Sequence, residues 1–418
     1  MAAVTLAVIG GGGRGTGYAR YAFKNPEKCT VVGVAEPRDW YRQNLAEKFE
    51  IPETHVFSDW QDAAAAEKFA DAVIIATQDA MHTGPAVAFA EKGYHILLEK
   101  PMAPTADECR DIARAASDAG VMLTVCHVMR YTAYTQKVKQ IVDSGRLGEI
   151  MSIEHLEPVG YWHQAHSFVR GNWRNEQESS FMLLAKSCHD LDWLRYIMGK
   201  RCLAVQSFGA LTHFRKESAP EGAAERCLDC PPDVESNCPY SARKIYLGRV
   251  ARGHTGWPVD VLTPEVTPKT IVEALRDGPY GRCVYACDND VVDHQVVNML
   301  FEGDRTASFT MTAFNKGSGR KTRIFGTRGE LAGDGRYIKL YDFLTDKFEK
   351  IDSAATDHSI LGGHGGGDTG LMGSFIESVA AGDASQNLSG PEVSLETHLM
   401  VFAAEKSRRE GRVVEVEL

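Results

Sequence analysis

Between Thr5 and Val125 short apolar runs alternate with longer amphipathic ones. The apolar runs are TLAVIG, TVVGVAE, DAVIIAT, HILLEK and MLTVCH, and between them lie RGTGYARYAF, DWYRQNLAEKF, HTGPAVAFAEK and ADECRDIARAASDAG. Short continuous apolar runs read as strands buried on both faces, and the intervening segments read as helices. Strands alternating with helices predict βαβ units and a doubly wound parallel sheet. Thr105–Glu108 and Ser58–Gln61 have the spacing of capping boxes. Gly93 and Gly120 stand where helices should end. Much later, DNDVVDHQVVNMLFEGDRTASFTMTAF alternates with period two, as antiparallel strands do. From about residue 212 to 281 the period fades and Pro, Gly and charged residues accumulate, predicting an irregular insertion.

The 418 residues suit two domains, here placed at 1–127 and 128–418. Net charge is −10, spread along the chain, which disfavours nucleic acid or an anionic membrane as partner. No apolar stretch reaches the roughly 20 residues of a membrane span. The N-terminal MAAVTLAVIGGGG lacks a basic segment and reads as a first strand, not a signal peptide. A cytoplasmic location is expected, with the ten cysteines mostly reduced.

Chemistry gathers at strand ends. Gly10, Gly12, Gly13, Arg14 and Gly15 form a G-x-G-x-x-G loop at the first strand-to-helix turn, suited to a dinucleotide pyrophosphate. Glu36 ends the next strand, placed for a ribose 2′-hydroxyl and against a 2′-phosphate. That favours NAD over NADP, although Arg38 lies two residues on. Thr77, Gln78 and His82 follow a later strand and could line the nicotinamide side. Glu99 and Lys100 end the HILL strand, and Pro101 keeps Lys100 out of helical conformation.

Together with HVMRYTAYTQKVKQIVDSGRLGEI, CHDLDWLRYIMG and IFGTRGEL, the glycine loop, Glu36 and "EKP" resemble the glucose–fructose oxidoreductase, inositol dehydrogenase and rhizopine-catabolism (Gfo/Idh/MocA) family. The resemblance covers essentially the whole chain. It implies a Rossmann domain followed by an α/β domain with an open, mostly antiparallel sheet. It also implies NAD-dependent oxidation of a secondary alcohol on a sugar, sugar derivative or cyclitol. Lys100 corresponds to the catalytic lysine, with Glu99 orienting it or meeting the cofactor ribose. His189 is a general acid/base. Most oxidising members carry Asp four residues before that histidine, where this chain has Ala185. Lys186, near the same helical face, could replace the carboxylate with a cation for an anionic group or oxyanion. Two other uses of this scaffold are an NAD-dependent glycosidase, which oxidises transiently, eliminates, hydrates and reduces back, and a non-catalytic NAD-binding sensor. Lys100 and His189 argue against the sensor.

The segment YWHQAHSFVRGNWRNEQ offers Trp162, His163, His166, Arg170 and Trp173, aromatic faces and donors that suit a carbohydrate. His127 and Arg130, after the last Rossmann strand, are further substrate candidates. Cys227, Cys230 and Cys238, spaced Cys-x2-Cys-x7-Cys in a loop, suit a structural zinc ion, with Cys287 or alternatively Cys283 as fourth ligand. Free or disulfide-bonded cysteines are the competing reading. An open sheet would also invite face-to-face association, as a homodimer or tetramer.

Overall fold

The strand Val4–Ile9 (β1) is joined in a first sheet by Cys29–Ala35 (β2), Val56–Phe57 (β3), Ala72–Ile75 (β4), His95–Leu98 (β5) and Leu123–Val125 (β6). The order is β3-β2-β1-β4-β5-β6, and every pairing is parallel. This is a computed structural model describing residues 2–317, 319–356 and 364–417. β4 is buried throughout, and β1 and β5 nearly so, because helices cover both faces. Chain order reverses beside β1, so the C-terminal ends of β1, β4 and β5 frame the crevice where such sheets take ligands. β3 has only two residues and shows no apolar run.

Helix ends mostly follow the local signals. Thr105 accepts the Glu108 N–H to cap Ala106–Asp118. The predicted cap at Ser58 is displaced by one residue: Asp59 is extended, and its carboxylate takes the Gln61 N–H to start Trp60–Ala65. Gly93 and Gly120 close their helices with φ of +77° and +63°.

The second sheet contains Ile150–Pro158 (β7), Cys202–Ala210 (β8), His294–Phe301 (β9), Arg305–Thr312 (β10), Lys321–Gly326 (β11), Gly329–Gly333 (β12), Tyr337–Asp342 (β13), Lys347–Asp352 (β14) and Val414–Glu415 (β15). The order is β14-β13-β12-β11-β7-β10-β9-β8-β15, with β7 and β10 parallel and the other neighbours antiparallel. Val297, Met299, Phe301, Ala307, Phe309 and Met311 enter one core with residues of the helices Met182–Met198 and Pro391–Glu410. The opposite face leaves Leu203, Phe208, Val296 and Leu300 exposed.

The late helix Gly367–Ala381 returns to the first domain. Its Leu371, Met372, Phe375 and Ile376 share a core with Leu6, Val8, Val31 and Leu97. The insertion is also more ordered than its composition predicts. Phe214, Tyr240, Tyr246, Val259, Ile271 and Leu275 form a core of their own, and Thr267 builds a capping box for the helix Pro268–Asp277. Among the described residues no helix is long and apolar enough to cross a membrane.

Candidate active site

The glycine loop is closed by backbone contact. A Cβ on Gly15 would lie 2.0 Å from the Gly10 carbonyl oxygen, and one on Gly10, at φ +94°, would lie 2.5 Å from that of Ala76. The helix Gly13–Lys24 starts after Gly12 without a side-chain cap, leaving its first N–H groups for an anion. The Glu36 carboxylate accepts the Gly11 N–H at 2.8 Å and is clasped by Arg38 through Nε (2.7 Å) and Nη2 (3.0 Å). Burial pushes this carboxyl upward, but hydrogen bonds from Arg38 and Gly11 overcome it and hold its pKa below the ordinary value. At the tip of β4, Thr77 Oγ1 is buried without a hydrogen-bond partner, as is the nearby Thr83 Oγ1. Uncapped N–H groups, orphaned hydroxyls and a carboxylate at the β2 tip fit a nicotinamide dinucleotide.

Some residues expected on the cofactor have other work. Arg14 pairs through Nε with Glu99 and through Nη2 with Asp368 at 2.8 Å. Glu99, buried, also accepts from the Tyr18 hydroxyl at 3.0 Å on the glycine-loop helix, while its second oxygen accepts the Lys100 backbone N–H. Burial raises the Glu99 carboxyl, but the Arg14 and Lys100 charges bring it below normal. His82 is fully buried: Nδ1 lies 2.7 Å from the Pro101 carbonyl oxygen and Nε2 3.3 Å from that of Thr77, tying two strand tips together. Gln78 stays exposed at this edge.

Lys100 points the other way, as adjacent residues on an extended chain must. Its Nζ donates to the Ala185 carbonyl oxygen at 2.7 Å. The Lys100–Pro101 peptide is cis. The next stretch is held by His398, whose Nε2 accepts the Met102 N–H at 2.9 Å and whose Nδ1 lies 2.7 Å from the Ser394 carbonyl oxygen. Ala185 and His189 are one turn apart on Met182–Met198, so Lys100 docks on the face that carries His189.

Lys186 does not present a free cation as expected. Its Nζ lies 2.9 Å from Glu157 Oε1, and Glu157 Oε2 lies 3.1 Å from Arg320. β7 thus supplies a buried carboxylate beside the helix that lacks one at Ala185. Asp190 and Asp192 on this helix are fully buried, and the neighbouring Arg195 binds Glu396 at 2.6 Å. Asp190 binds His155 and Arg320.

Asp192 takes Arg130 in a fork at 2.8 and 2.6 Å, and Arg130 is buried. Arg130 is therefore a brace and not the substrate contact its position suggests. His127, fully buried, lies 3.7 Å from Asp192 and 6.2 Å, ring to ring, from His189. Burial outweighs the attraction of Asp192 and drives its pKa down to about 3, so it is neutral.

The segment after β7 divides. His163 lies between Phe168 and Trp257, with ring centroids 5.8 and 5.0 Å away. Burial first, then the Lys186 charge, drives its pKa well below the ordinary value, and Lys100 adds to the effect. Trp162 is half-buried against Trp257. Trp173 donates Nε1–H to Asp79 at 3.2 Å, linking the substrate side to the β4 loop. His166 and Arg170 turn inward instead. His166 stacks on Tyr280 and bonds the Tyr246 hydroxyl, while Arg170 donates to the carbonyls of Arg282 and Tyr240.

Arg170 also explains part of the cysteine cluster, since its Nη2 lies 3.4 Å from Cys227 Sγ. Cys227, Cys230, Cys238 and Cys283 line one small void, whereas the Cys287 thiol donates to the Cys283 carbonyl oxygen. All ten cysteines are free thiols. Among the described residues no three Cys, His, Asp or Glu side chains are arranged to hold a metal ion, so the zinc expectation is not upheld. Cys227 and Cys287 act as weak donors, and Cys227, Cys238, Cys283 and Cys287 pack in the insertion's core, where burial raises the pKa of the last three.

Sequence reasoning missed Asp79, Glu157, Trp257 and His398. None carries a motif, and each gains meaning only from a partner distant in the chain.

The dinucleotide crevice thus faces a helix that carries a buried histidine, His189. The chain belongs to the Gfo/Idh/MocA family: residues 4–127 match its NAD-binding Rossmann fold and residues 139–416 its C-terminal alpha/beta domain. YteT of Bacillus subtilis (strain 168) is 23% identical over 314 residues, covering 72% of this chain and 71% of that protein. The 2,7-anhydro-N-acetylneuraminate hydratase of Escherichia coli (strain K12) is 26% identical over 197 residues, 47% of this chain and half of that protein. A levoglucosan dehydrogenase solved with NADH and levoglucosan superposes with a TM-score of 0.72 at 18% identity, covering 99% of this chain and all of the other.

Proposed function

We propose that the protein is an NAD-dependent dehydrogenase that removes hydride from a hydroxyl-bearing ring carbon of a sugar, sugar derivative or cyclitol. The observation that carries this reading is Lys100 Nζ, held at a strand tip on the dinucleotide crevice by a neutral carbonyl 2.7 Å away. A nicotinamide dinucleotide seated on the glycine loop supplies the hydride acceptor, with Glu36 favouring NAD. Lys100, as the neutral amine, takes the hydroxyl proton as hydride leaves and becomes the ammonium, and His189 assists from the facing helix. His163, neutral, accepts or donates a hydrogen bond to a neighbouring hydroxyl. The exposed apolar strip Leu203, Phe208, Val296 and Leu300 on the open sheet supports a homo-oligomer.

A redox-neutral use of the same groups is favoured by one feature. Lys100 rests on a backbone carbonyl where a carboxylate relay is absent, so a proton taken early stays available for return. The relative named as a hydratase of an anhydro-sugar is consistent with such chemistry.

The test is incubation with NAD and a panel of free sugars, cyclitols and aryl glycosides. NADH formation is the expected result. Aglycone release without net NADH selects the redox-neutral reading. Binding with neither product overturns both.

A further inference from the structure

The insertion places one large side chain where neither the dinucleotide nor a single sugar ring requires it. Trp257 is 50% exposed, although its neighbours are aromatic. It lies 5.2 Å from Trp162 and 5.0 Å from His163, centroid to centroid. His163 continues inward to Phe168 at 5.8 Å, and Phe168 to Trp173 at 6.2 Å. Trp173 is bonded to Asp79 on the loop beside Thr77 and Gln78. The rings therefore run without a break from the nicotinamide side of the crevice to the surface. At the outer end Arg249 lies over Trp162 at 4.2 Å, capping the wall with a cation.

A run of rings this long exceeds what one pyranose can cover. The inner rings are packed and the outer one is open, so the vacant aromatic face lies outward of the reacting ring. Resting on the carbohydrate reading above, we infer that Trp257 forms a second subsite, stacking the aglycone or adjoining sugar ring of a glycoside whose first ring meets Lys100. The substrate class is then a glycoside or oligosaccharide and not a free monosaccharide. Sugar C–H groups and aryl rings share the flat apolar face this needs, and the edge-on geometry of His163 and Trp257, at 82°, holds the indole in place.

The test uses the NAD-loaded 418-residue protein, as wild type, Trp257→Ala and Trp257→Phe. Affinities for 4-nitrophenyl glycosides and the matching free sugars are measured by calorimetry, with NADH binding as a control of fold. Trp257→Ala should weaken the best glycoside about ten-fold, and the free sugar and NADH by less than about two-fold. Trp257→Phe should recover most of the loss. Equal losses for glycoside and sugar, no loss for either, or a wild type that binds no glycoside would overturn the subsite. Glycoside binding through Trp257 with neither NADH formation nor aglycone release leaves the subsite standing and overturns the proposed function.

Discussion

Two basic side chains follow neighbouring strands of the first sheet and both reach the helix Met182–Met198. Arg130, after β6, enters a buried fork with Asp192, and its Nη1 donates to the Leu388 carbonyl. Lys100, after β5, donates from Nζ to the Ala185 carbonyl and remains partly exposed. A guanidinium matched to a carboxylate has little left to offer a substrate, and a planar fork fixes orientation. An amine held by a neutral dipole is positioned without a fixed counter-charge, so it stays free to exchange a proton. The first side chain braces the segment after β6 against that helix, and the second is left for chemistry.

Breaking the brace should have the largest effect. Arg130→Ala leaves Asp192 buried and unpaired, which should lower stability by about 3–5 kcal/mol, read by urea denaturation. Stability unchanged within 1 kcal/mol, taken as a rough threshold, would mean that the pair is dispensable. Lys100→Ala should instead lower turnover by about 10²-fold or more with NADH affinity nearly intact. Lys100→Arg should not restore it, because a guanidinium does not release its proton. Near-normal turnover in Lys100→Ala would identify another base.

Acid sharpens the contrast through the histidines around the brace. Burial drives His127 to about 3 and His398 to about 4, below the ordinary histidine value of about 6.5. Between those values the unfolded chain binds the protons, so stability is full above about pH 6.5 and falls on acidification. The slope should approach about 1.4 kcal/mol per pH unit for each histidine, measured by denaturation from pH 7 to 4. A flat profile would show that these histidines are protonated in the fold. The smallest effect belongs to Thr105→Ala, which removes the cap after the Lys100 loop and should cost about 1 kcal/mol of stability with little change in turnover.

Much of the first sheet was readable because its signals are local. Apolar runs, a glycine loop and a helix cap each act within a few residues. β3 escaped because two half-buried residues carry no period. The cleft was read less evenly. Lys100 sits at a strand tip whose direction topology dictates, whereas His166 and Arg170 look like carbohydrate ligands until Tyr246, Tyr280 and Tyr240 arrive from the insertion. The Cys-x2-Cys-x7-Cys spacing suggests a metal, but spacing does not orient thiols, and here they pack.

The sequence by itself determined the parallel dinucleotide fold, the glycine loop with Glu36, and the delivery of Lys100 to the crevice. Each follows from period, steric permission at glycine, or alternation along a strand. Only the tertiary structure decided which charges remain available. It paired Lys186 with Glu157, Arg14 with Glu99 and Arg130 with Asp192, and it carried Trp257 toward His163 from a region with little pattern. Burial and partnering depend on residues far apart in the chain, and no local spacing encodes them.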